Sequence, residues 1–347
     1  MRKTVFVERL LVKKRPTQAD VARVANVSQA MVSYVLNGNT FVSFPAETRQ
    51  RILNAIDQLG YQPNRTARSL RTNKTLTIAA IIPDITNPFY PAFERGIQDV
   101  ADERGYDVIT YNTDGLAEKE RKSIQSMLEG RVDGLVAVLF HTRASDLFPL
   151  LDHNIPVIRL EATQKAAGSR PLDNIYLDNV AAARSAVTHL VGKGHERIGM
   201  LAGQGGPTRF RINGYRDALR SRGLPFEPDL LQAGDFNDQG GYQAMRALLA
   251  LTPRPTAVFA ANDLMALGAY LAIREAGLHI PHDVAVVGFD NIPTSRLVSP
   301  PLTTVDQFQH RVGQRAAEML LERLNGAAPP KGRSEEQPHE LIVRGSV

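Results

Sequence analysis

Thr17-Gln18-Ala19-Asp20-Val21-Ala22-Arg23-Val24-Ala25-Asn26-Val27 runs directly into Ser28-Gln29-Ala30-Met31-Val32-Ser33-Tyr34-Val35-Leu36-Asn37. Val21, Val24 and Ala25 recur at helical spacing, and Val32, Val35 and Leu36 repeat the pattern after one short break. Asn26-Val27 interrupts the first helix, and the Ser28 hydroxyl can cap the second. So tight a joint forces the two helices to cross steeply, leaving the second exposed as a probe for the DNA major groove. Ile52, Leu53, Ile56 and Leu59 give the apolar stripe of a third helix that closes a small core. Pro45 can begin that helix, because its missing N–H costs nothing there.

The charge is divided in the same way. Residues 1–75 carry 13 Lys and Arg against 4 Asp and Glu, whereas the remainder carries 28 against 32. A basic head before a mildly acidic body suits a chain that meets polyphosphate at one end only. With 347 residues and 43% hydrophobic content, more than one domain with a large core is expected. There is no cysteine, which excludes disulfides and thiolate metal sites. No apolar run reaches the ~18 residues of a membrane span. Residues 1–14 hold an apolar patch broken by Glu8 and Arg9, without a small-residue cleavage site. They do not read as a signal peptide, so a cytoplasmic protein with no membrane partner is expected.

Beyond residue 75, short apolar runs alternate with amphipathic stretches. Strands are expected at 76–82, 106–110, 135–139 and 157–160, then at 198–202, 257–261 and 284–288. Helices are expected at 89–104, 180–193, 211–221, 239–251 and 264–276. This is the pattern of an α/β body made of two doubly wound parallel-sheet subdomains in series, after a small all-α head. Ligands of such sheets bind at the carboxyl ends of strands, where most of the polar residues fall. Signals for catalysis are poor. His279 and His282 flank Pro281, which favours a turn over a metal-binding helix. Gly203-Gln204-Gly205-Gly206 lacks dinucleotide spacing, and no serine sits in a nucleophile elbow. No enzyme activity, cofactor or metal is expected.

Several motifs occur together. The head matches D-V-A-x-x-A-x-V-S-x-x-x-V-S-x-V-x-N at Asp20-Val21-Ala22, Ala25, Val27-Ser28, Val32-Ser33, Val35 and Asn37, followed by Tyr61-Gln62-Pro63-Asn64-Arg65-Thr66-Ala67-Arg68-Ser69-Leu70. The body adds Asp84-Ile85-Thr86-Asn87-Pro88-Phe89-Tyr90, Arg131-Val132-Asp133-Gly134, Leu177-Asp178-Asn179, Arg211-Ile212-Asn213-Gly214-Tyr215, Ala261-Asn262-Asp263, Gly288-Phe289-Asp290 and Val305-Asp306-Gln307. On these residues the chain resembles the LacI/GalR family of bacterial transcription regulators, over everything after Pro16.

The resemblance implies a helix-turn-helix headpiece over 16–62, a hinge helix and linker over 63–75, and an effector-binding and dimerisation domain over 76–347. That domain is of the periplasmic-binding-protein type. Its N-subdomain would comprise about 76–177 plus 306–330, and its C-subdomain about 178–305 plus 335–347. Residues 1–15 are an extension without an assigned role. The implied partners are a pseudo-palindromic double-stranded operator, a second copy of the chain and a small-molecule effector.

Implied DNA contacts in the head are Thr17, Ser28, Gln29, Ala30, Ser33, Tyr34, Asn37 and Arg49. Gln29 can pair with an adenine edge and Ala30 can touch a thymine methyl, while Arg49 suits phosphate. Tyr34 stands where many members have Arg or His. Four residues, rather than the usual two, separate Val42-Ser43 from Thr48-Arg49, so a longer loop is expected. In the hinge, Leu70 would wedge into the minor groove beside Ala67, with Arg65, Arg68 and Arg71 on phosphates.

The implied effector contacts are Asn87, Arg211, Asn262, Asp290 and Gln307 by hydrogen bonding, Phe89 by stacking, and Glu161. Ala162 occupies the place where related sugar binders often carry a base beside that acid. A sugar or sugar derivative is the expected effector, and a repressor of a carbohydrate-utilisation operon the expected role. The alternatives are a regulator answering to a nucleobase or phosphorylated metabolite, or a sugar-binding protein without regulatory DNA binding. Residues 326–338 read as a Pro-, Gly- and charge-rich loop before a last strand, and no tetramer-forming heptad tail is expected after it.

Overall fold

The computed structural model describes residues 16–36, 45–62, 69, 72, 74–166 and 168–347. The extension at 1–15, Asn37, the loop residues up to Phe44, and Arg65, Ala67, Arg68, Leu70 and Arg71 lie outside the described residues. The chain divides into two compact units, Met1–Thr75 and Leu76–Val347.

In the first unit, helices span Gln18–Ala25, Gln29–Leu36 and Ala46–Leu59. Thr17 caps the first: its hydroxyl accepts from the Asp20 N–H, and the Asp20 carboxylate accepts from the Thr17 N–H at 3.0 Å. Asn26 ends it in the left-handed region at φ 51°, a conformation asparagine tolerates. The Ser28 hydroxyl accepts from the Met31 N–H at 3.3 Å and so caps the second. Val21, Ala22, Ala25, Val32, Ile52, Ala55 and Tyr61 form the core. Val24 and Leu53, both expected inside, are 43% and 38% exposed. Each lies about 100° of helical turn away from the buried face, and Ala22 and Ala55 take their places.

The second unit contains two six-stranded sheets. Strands β1 (Thr77–Ile82), β2 (Asp107–Asn112), β3 (Gly134–Val138), β4 (Val157–Glu161) and β5 (Leu172–Leu177) build the first, with β11 (Ser334–Gln337) at its edge. Strands β6 (Ile198–Ala202), β7 (Leu231–Ala233), β8 (Ala257–Ala260), β9 (Ala285–Asp290) and β10 (Thr303–Asp306) build the second, edged by β12 (Glu340–Ile342). Their orders, β11-β5-β4-β3-β1-β2 and β12-β10-β9-β8-β6-β7, are the same doubly wound plan used twice. Every pairing is parallel except β12 against β10. The β1 run Ile78–Ile82 is wholly buried, as a parallel strand covered on both faces requires.

Three expectations need correction. Ser334–Gln337 is a strand of the first sheet, paired in register with Asn174–Leu177, so this part of 335–347 does not belong to the C-subdomain and 326–338 is not all loop. Its Ser-Glu-Glu-Gln sequence shows no apolar alternation because an edge strand is held by backbone pairing and ion pairs. Arg315 Nε donates to Glu335 at 2.9 Å, and the Tyr176 hydroxyl donates to Glu336 at 3.0 Å. The helix expected at 211–221 begins a turn earlier, at Thr208, after Pro207.

Among the described residues, the chain passes between the two lobes three times: between β5 and helix Asn179–Gly192, between β10 and helix Gln309–Leu324, and between β11 and β12. Helix Gln309–Leu324 returns to the first lobe and crosses helix Phe89–Glu103 backbone to backbone. A Cβ on Gly313 would lie 1.9 Å from the Phe93 carbonyl oxygen. Nearby, fully buried Asp173 accepts from Arg323 Nη2 at 2.6 Å, and from the backbone N–H and Nη2 of Arg333, each at 2.7 Å. Burial alone would raise the Asp173 pKa, but the two guanidinium groups outweigh it and hold the carboxyl below its ordinary value.

Asp173→Asn leaves the Arg323 guanidinium without a carboxylate and Arg333 with Glu322 alone, and should destabilise the first lobe by about 3–5 kcal/mol at neutral pH. The depressed pKa makes the wild-type contribution present above the ordinary carboxylate pKa of about 4 and lost as pH falls through the folded value. Thermal melts across pH should therefore show the variant's deficit widest near neutrality and closing only in strong acid.

Candidate functional site

In each sheet the strand order reverses beside the first strand, and a crevice opens there at the carboxyl ends. In the first lobe the reversal lies between β1 and β3, and the segments leaving them carry Asn87, Phe89 and Phe140. In the second it lies between β6 and β8, which lead to Arg211 and Asn262. Asp290 ends β9, Gln307 follows β10 and Glu161 ends β4. All seven expected effector-site residues line one cleft of ≈ 1660 Å³ between the lobes.

The Asp84-Ile85-Thr86-Asn87-Pro88 turn delivers Phe89 as the first residue of its helix. The Asn87 side-chain oxygen accepts the Phe89 N–H at 3.1 Å, which fixes the turn. The Phe89 ring meets Tyr90 edge-on at 5.0 Å and stacks on Phe93 at 6.5 Å. It is an aromatic wall for the cleft and part of the first lobe's core.

Opposite it, the Arg211 guanidinium lies 3.7 Å above the Phe289 ring. Its Nε donates to Asn179 at 2.9 Å and its Nη1 to the Ala261 carbonyl. Burial lowers its pKa to about 10, while Asp290 and Tyr90 act in the opposite sense. Asn262 is a scaffold for this wall as well as a lining residue. Its side-chain oxygen caps helix Asp263–Glu275 by accepting the Met265 N–H at 3.0 Å, and its amide donates to the Phe236 carbonyl at 2.8 Å.

Asp290 has φ 116°, a left-handed conformation that costs a non-glycine residue about 1–3 kcal/mol and clusters at functional sites. The site overdetermines it. Gln309 donates to its carbonyl and Gln307 to its carboxylate, and Asp263 behind it accepts the Thr304 hydroxyl at 2.6 Å and the Ile292 N–H at 2.9 Å. Burial pushes the Asp290 pKa up to about 7; Arg211 and Gln307 pull against that, and Asp306 adds to it. Asp263 is raised well above the ordinary range by burial and by Asp290.

Two features were not foreseen from the sequence. Phe140 leaves the first lobe and lies against the Gly205-Gly206 turn of the second: a Cβ on Gly206 would come 2.7 Å from its ring. Its loop is gripped by buried Glu120, which accepts the Phe140 N–H at 2.7 Å and the Thr142 N–H at 2.9 Å. Glu161 is not without a base. Arg159, two residues earlier on the same face of β4, places Nη2 2.7 Å from Glu161 Oε1. An arginine inside an otherwise apolar strand was the signal available in the sequence.

On the head, Ser28, Gln29 and Ala30 are exposed at the start of the second helix. Tyr34 is exposed one turn on, Ser33 is half-buried, and Arg49 is exposed on the third helix. The Thr17 hydroxyl is engaged in its capping box, donating to Asp20 at 2.7 Å. Asn37 and the hinge contacts lie outside the described residues.

A helix-turn-helix head followed by a two-lobed polar cleft defines a ligand-controlled DNA-binding regulator. The family model of bacterial regulatory proteins of the lacI family matches residues 17–64, and that of the periplasmic binding protein-like domain matches residues 187–347. The HTH-type transcriptional repressor PurR of Pasteurella multocida is 36% identical, over 95% of this chain and 98% of that protein. The ribose operon repressor of Escherichia coli K12 is 35% identical, over 95% and 99%. The solved lac repressor dimer bound to operator and the anti-inducer ONPF is 30% identical, with a TM-score of 0.84 over 96% of this chain and 99% of that one. The chain belongs to the lacI family: it is a DNA-binding transcription regulator with an effector-binding domain.

A folded pKa near 7 means that Asp290 stabilises the fold below about pH 4, and that this contribution is lost as pH rises through 7. Asp290→Asn should therefore melt above wild type at pH 8, with the gain shrinking as pH falls below 7 and gone only below about pH 4. Equal melting curves at pH 8 would show that the buried charge is compensated.

Proposed function

We propose that this chain is a cytoplasmic, homodimeric repressor of a carbohydrate-utilisation operon, released or retained on its operator by a free sugar or sugar derivative held between the lobes. Asn87, Glu161, Arg211, Asn262, Asp290 and Gln307 would hydrogen-bond that effector, with Phe89 against its apolar face. The observation that carries this reading is that buried Arg211 and Asp290 line one cleft together with the aromatic ring of Phe89. A polyol needs that mixture, since vicinal hydroxyls take a charged donor and a charged acceptor while C–H groups take the ring. Among the described residues, no helix is long and apolar enough to cross a membrane. The ribose operon repressor among the relatives, set against the nucleobase alternative, makes the free sugar and the nucleobase the two effectors to separate.

Thermal stability against D-ribose, D-galactose, ribose 5-phosphate and hypoxanthine separates them. A ligand at about 100 times its Kd adds roughly 2.7 kcal/mol. A shift with a free sugar is expected, and a shift with hypoxanthine alone would replace the sugar assignment. Asp290→Ala should keep operator affinity in a gel-shift titration while losing the response to that sugar. Normal release of the variant would remove Asp290 from the site.

For DNA, we assign Ser28, Gln29, Ala30, Ser33 and Tyr34 to base edges, and Thr17, Asn37 and Arg49 to backbone positioning. Leu70 is assigned to the minor-groove wedge, flanked by Arg65, Ala67, Arg68 and Arg71. Gln29→Ala should relax discrimination at one base pair by about 1–3 kcal/mol. Leu70→Ala should weaken specific binding by a few kcal/mol, on the scale of one unstacked step, and leave sugar affinity unchanged. Both are read by gel-shift titration on operators selected with the wild-type protein.

A further inference from the structure

We propose that Arg159 and Glu161 form a donor–acceptor clamp for two adjacent hydroxyls of an uncharged sugar, with Arg159 as the specificity-determining cation of the first lobe. This rests on the proposed sugar-binding reading of the cleft. Both residues line the cleft, and their side chains are 10% and 11% exposed. Residues i and i+2 of a strand share a face, so the base comes from within β4 rather than from position 162, where Ala162 offers none.

The pair is not a finished structural salt bridge. Although Arg159 Nη2 and Glu161 Oε1 are 2.7 Å apart, Nη2 hydrogen-bonds the Thr142 carbonyl at 3.3 Å. Glu161 Oε1 is left buried and without an aligned donor. Lys165 adds charge near the other oxygen, but only at 4.0 Å. In the same lobe, Asp173 and its two arginines show what completion looks like, with aligned bonds to both carboxylate oxygens. Buried charges stabilise a fold only when their hydrogen bonds are complete, and a half-satisfied pair costs more than apolar packing. An incomplete pair facing a cleft retains donor and acceptor capacity for a ligand. A hydroxyl donates to the carboxylate and its neighbour accepts from the guanidinium, whereas a phosphate would meet the Glu161 charge directly.

The test combines a stability readout that needs no ligand with a binding readout that does. In the double variant Arg159→Met/Glu161→Gln, the melting temperature should stay close to that of wild type, because the one aligned bond lost is the 3.3 Å contact with the Thr142 carbonyl. Calorimetric titration of D-ribose, D-galactose, ribose 5-phosphate and hypoxanthine should show wild type binding a free sugar more tightly than the phosphate. Arg159→Met alone should weaken that sugar at least tenfold, with Arg159→Lys recovering part of the loss. A double variant that melts several degrees lower assigns the pair to structure and overturns the clamp. Unchanged sugar affinity in Arg159→Met does the same. Binding of the phosphate or of hypoxanthine in place of any free sugar overturns the clamp while leaving an effector site in the cleft; binding of none of the four overturns both readings.

Discussion

Parallel strand pairing is the constraint on which the body of this protein depends. A parallel pair cannot be joined by a tight turn, so each strand needs a crossover, and every carboxyl end in a sheet emerges along the same edge. Where the order reverses, crossovers diverge to opposite faces and leave a crevice. This chain makes that arrangement twice and sets the two crevices against each other, which is why residues as distant in sequence as Asn87, Arg211 and Asp290 meet in one cleft. The site is assembled from strand ends, and a change of a few residues there alters ligand chemistry without disturbing the sheets.

Buried charge is handled in three ways, and the differences follow function. Asp173 is complete: fully buried, with arginine hydrogen bonds on both oxygens and a depressed pKa, it ties β5 to the start of β11. Asp290 is held in a strained conformation with a raised pKa, under the pull of Arg211 but without a direct ion pair to it among the described residues. Glu161 has a cation beside it and an oxygen without a bond. Asp290 and Glu161 line the cleft, and Asp173 does not. Destabilisation at these positions is consistent with a site whose charges are finished only by what it binds.

Much of this was legible in the sequence, for physical reasons that also explain what was missed. Helical periodicity and capping chemistry gave the head, because Thr17, Asn26 and Ser28 act locally. Apolar runs marked β1, β3, β4, β6, β8 and β9, since a strand covered on both faces is largely apolar, whereas interior β5 and β10 were missed because Asp173, Asn174, Thr303 and Thr304 interrupt their runs. Strand β11 was hidden because edge strands are held by backbone pairing and need no pattern. Val24 and Leu53 misled because adjacent helix positions compete for one narrow face, and a small alanine can win it. The cleft residues were found through their motifs, but neither Arg159 nor Phe140 follows from a motif. One is a charge inside a strand, and the other acts through a glycine turn about 65 residues away that only folding brings near.

The remaining question is how a cleft in the body can govern a head that reads DNA. A ligand shifts an equilibrium only by its difference in affinity for the two states, so equal affinity for both would leave operator binding unchanged. The cleft has the elements such a difference requires. Among the described residues three chain crossings connect the lobes, Phe140 lies against a turn of the opposite lobe, and the groups proposed to hold a ligand belong to both. A molecule that joins Phe89 and Glu161 on one side to Arg211 and Asp290 on the other favours a single lobe angle, because only there are all its contacts made. The first sheet begins at Thr77, two residues after the boundary between the two units, so this lobe is the one that the chain enters on leaving the head.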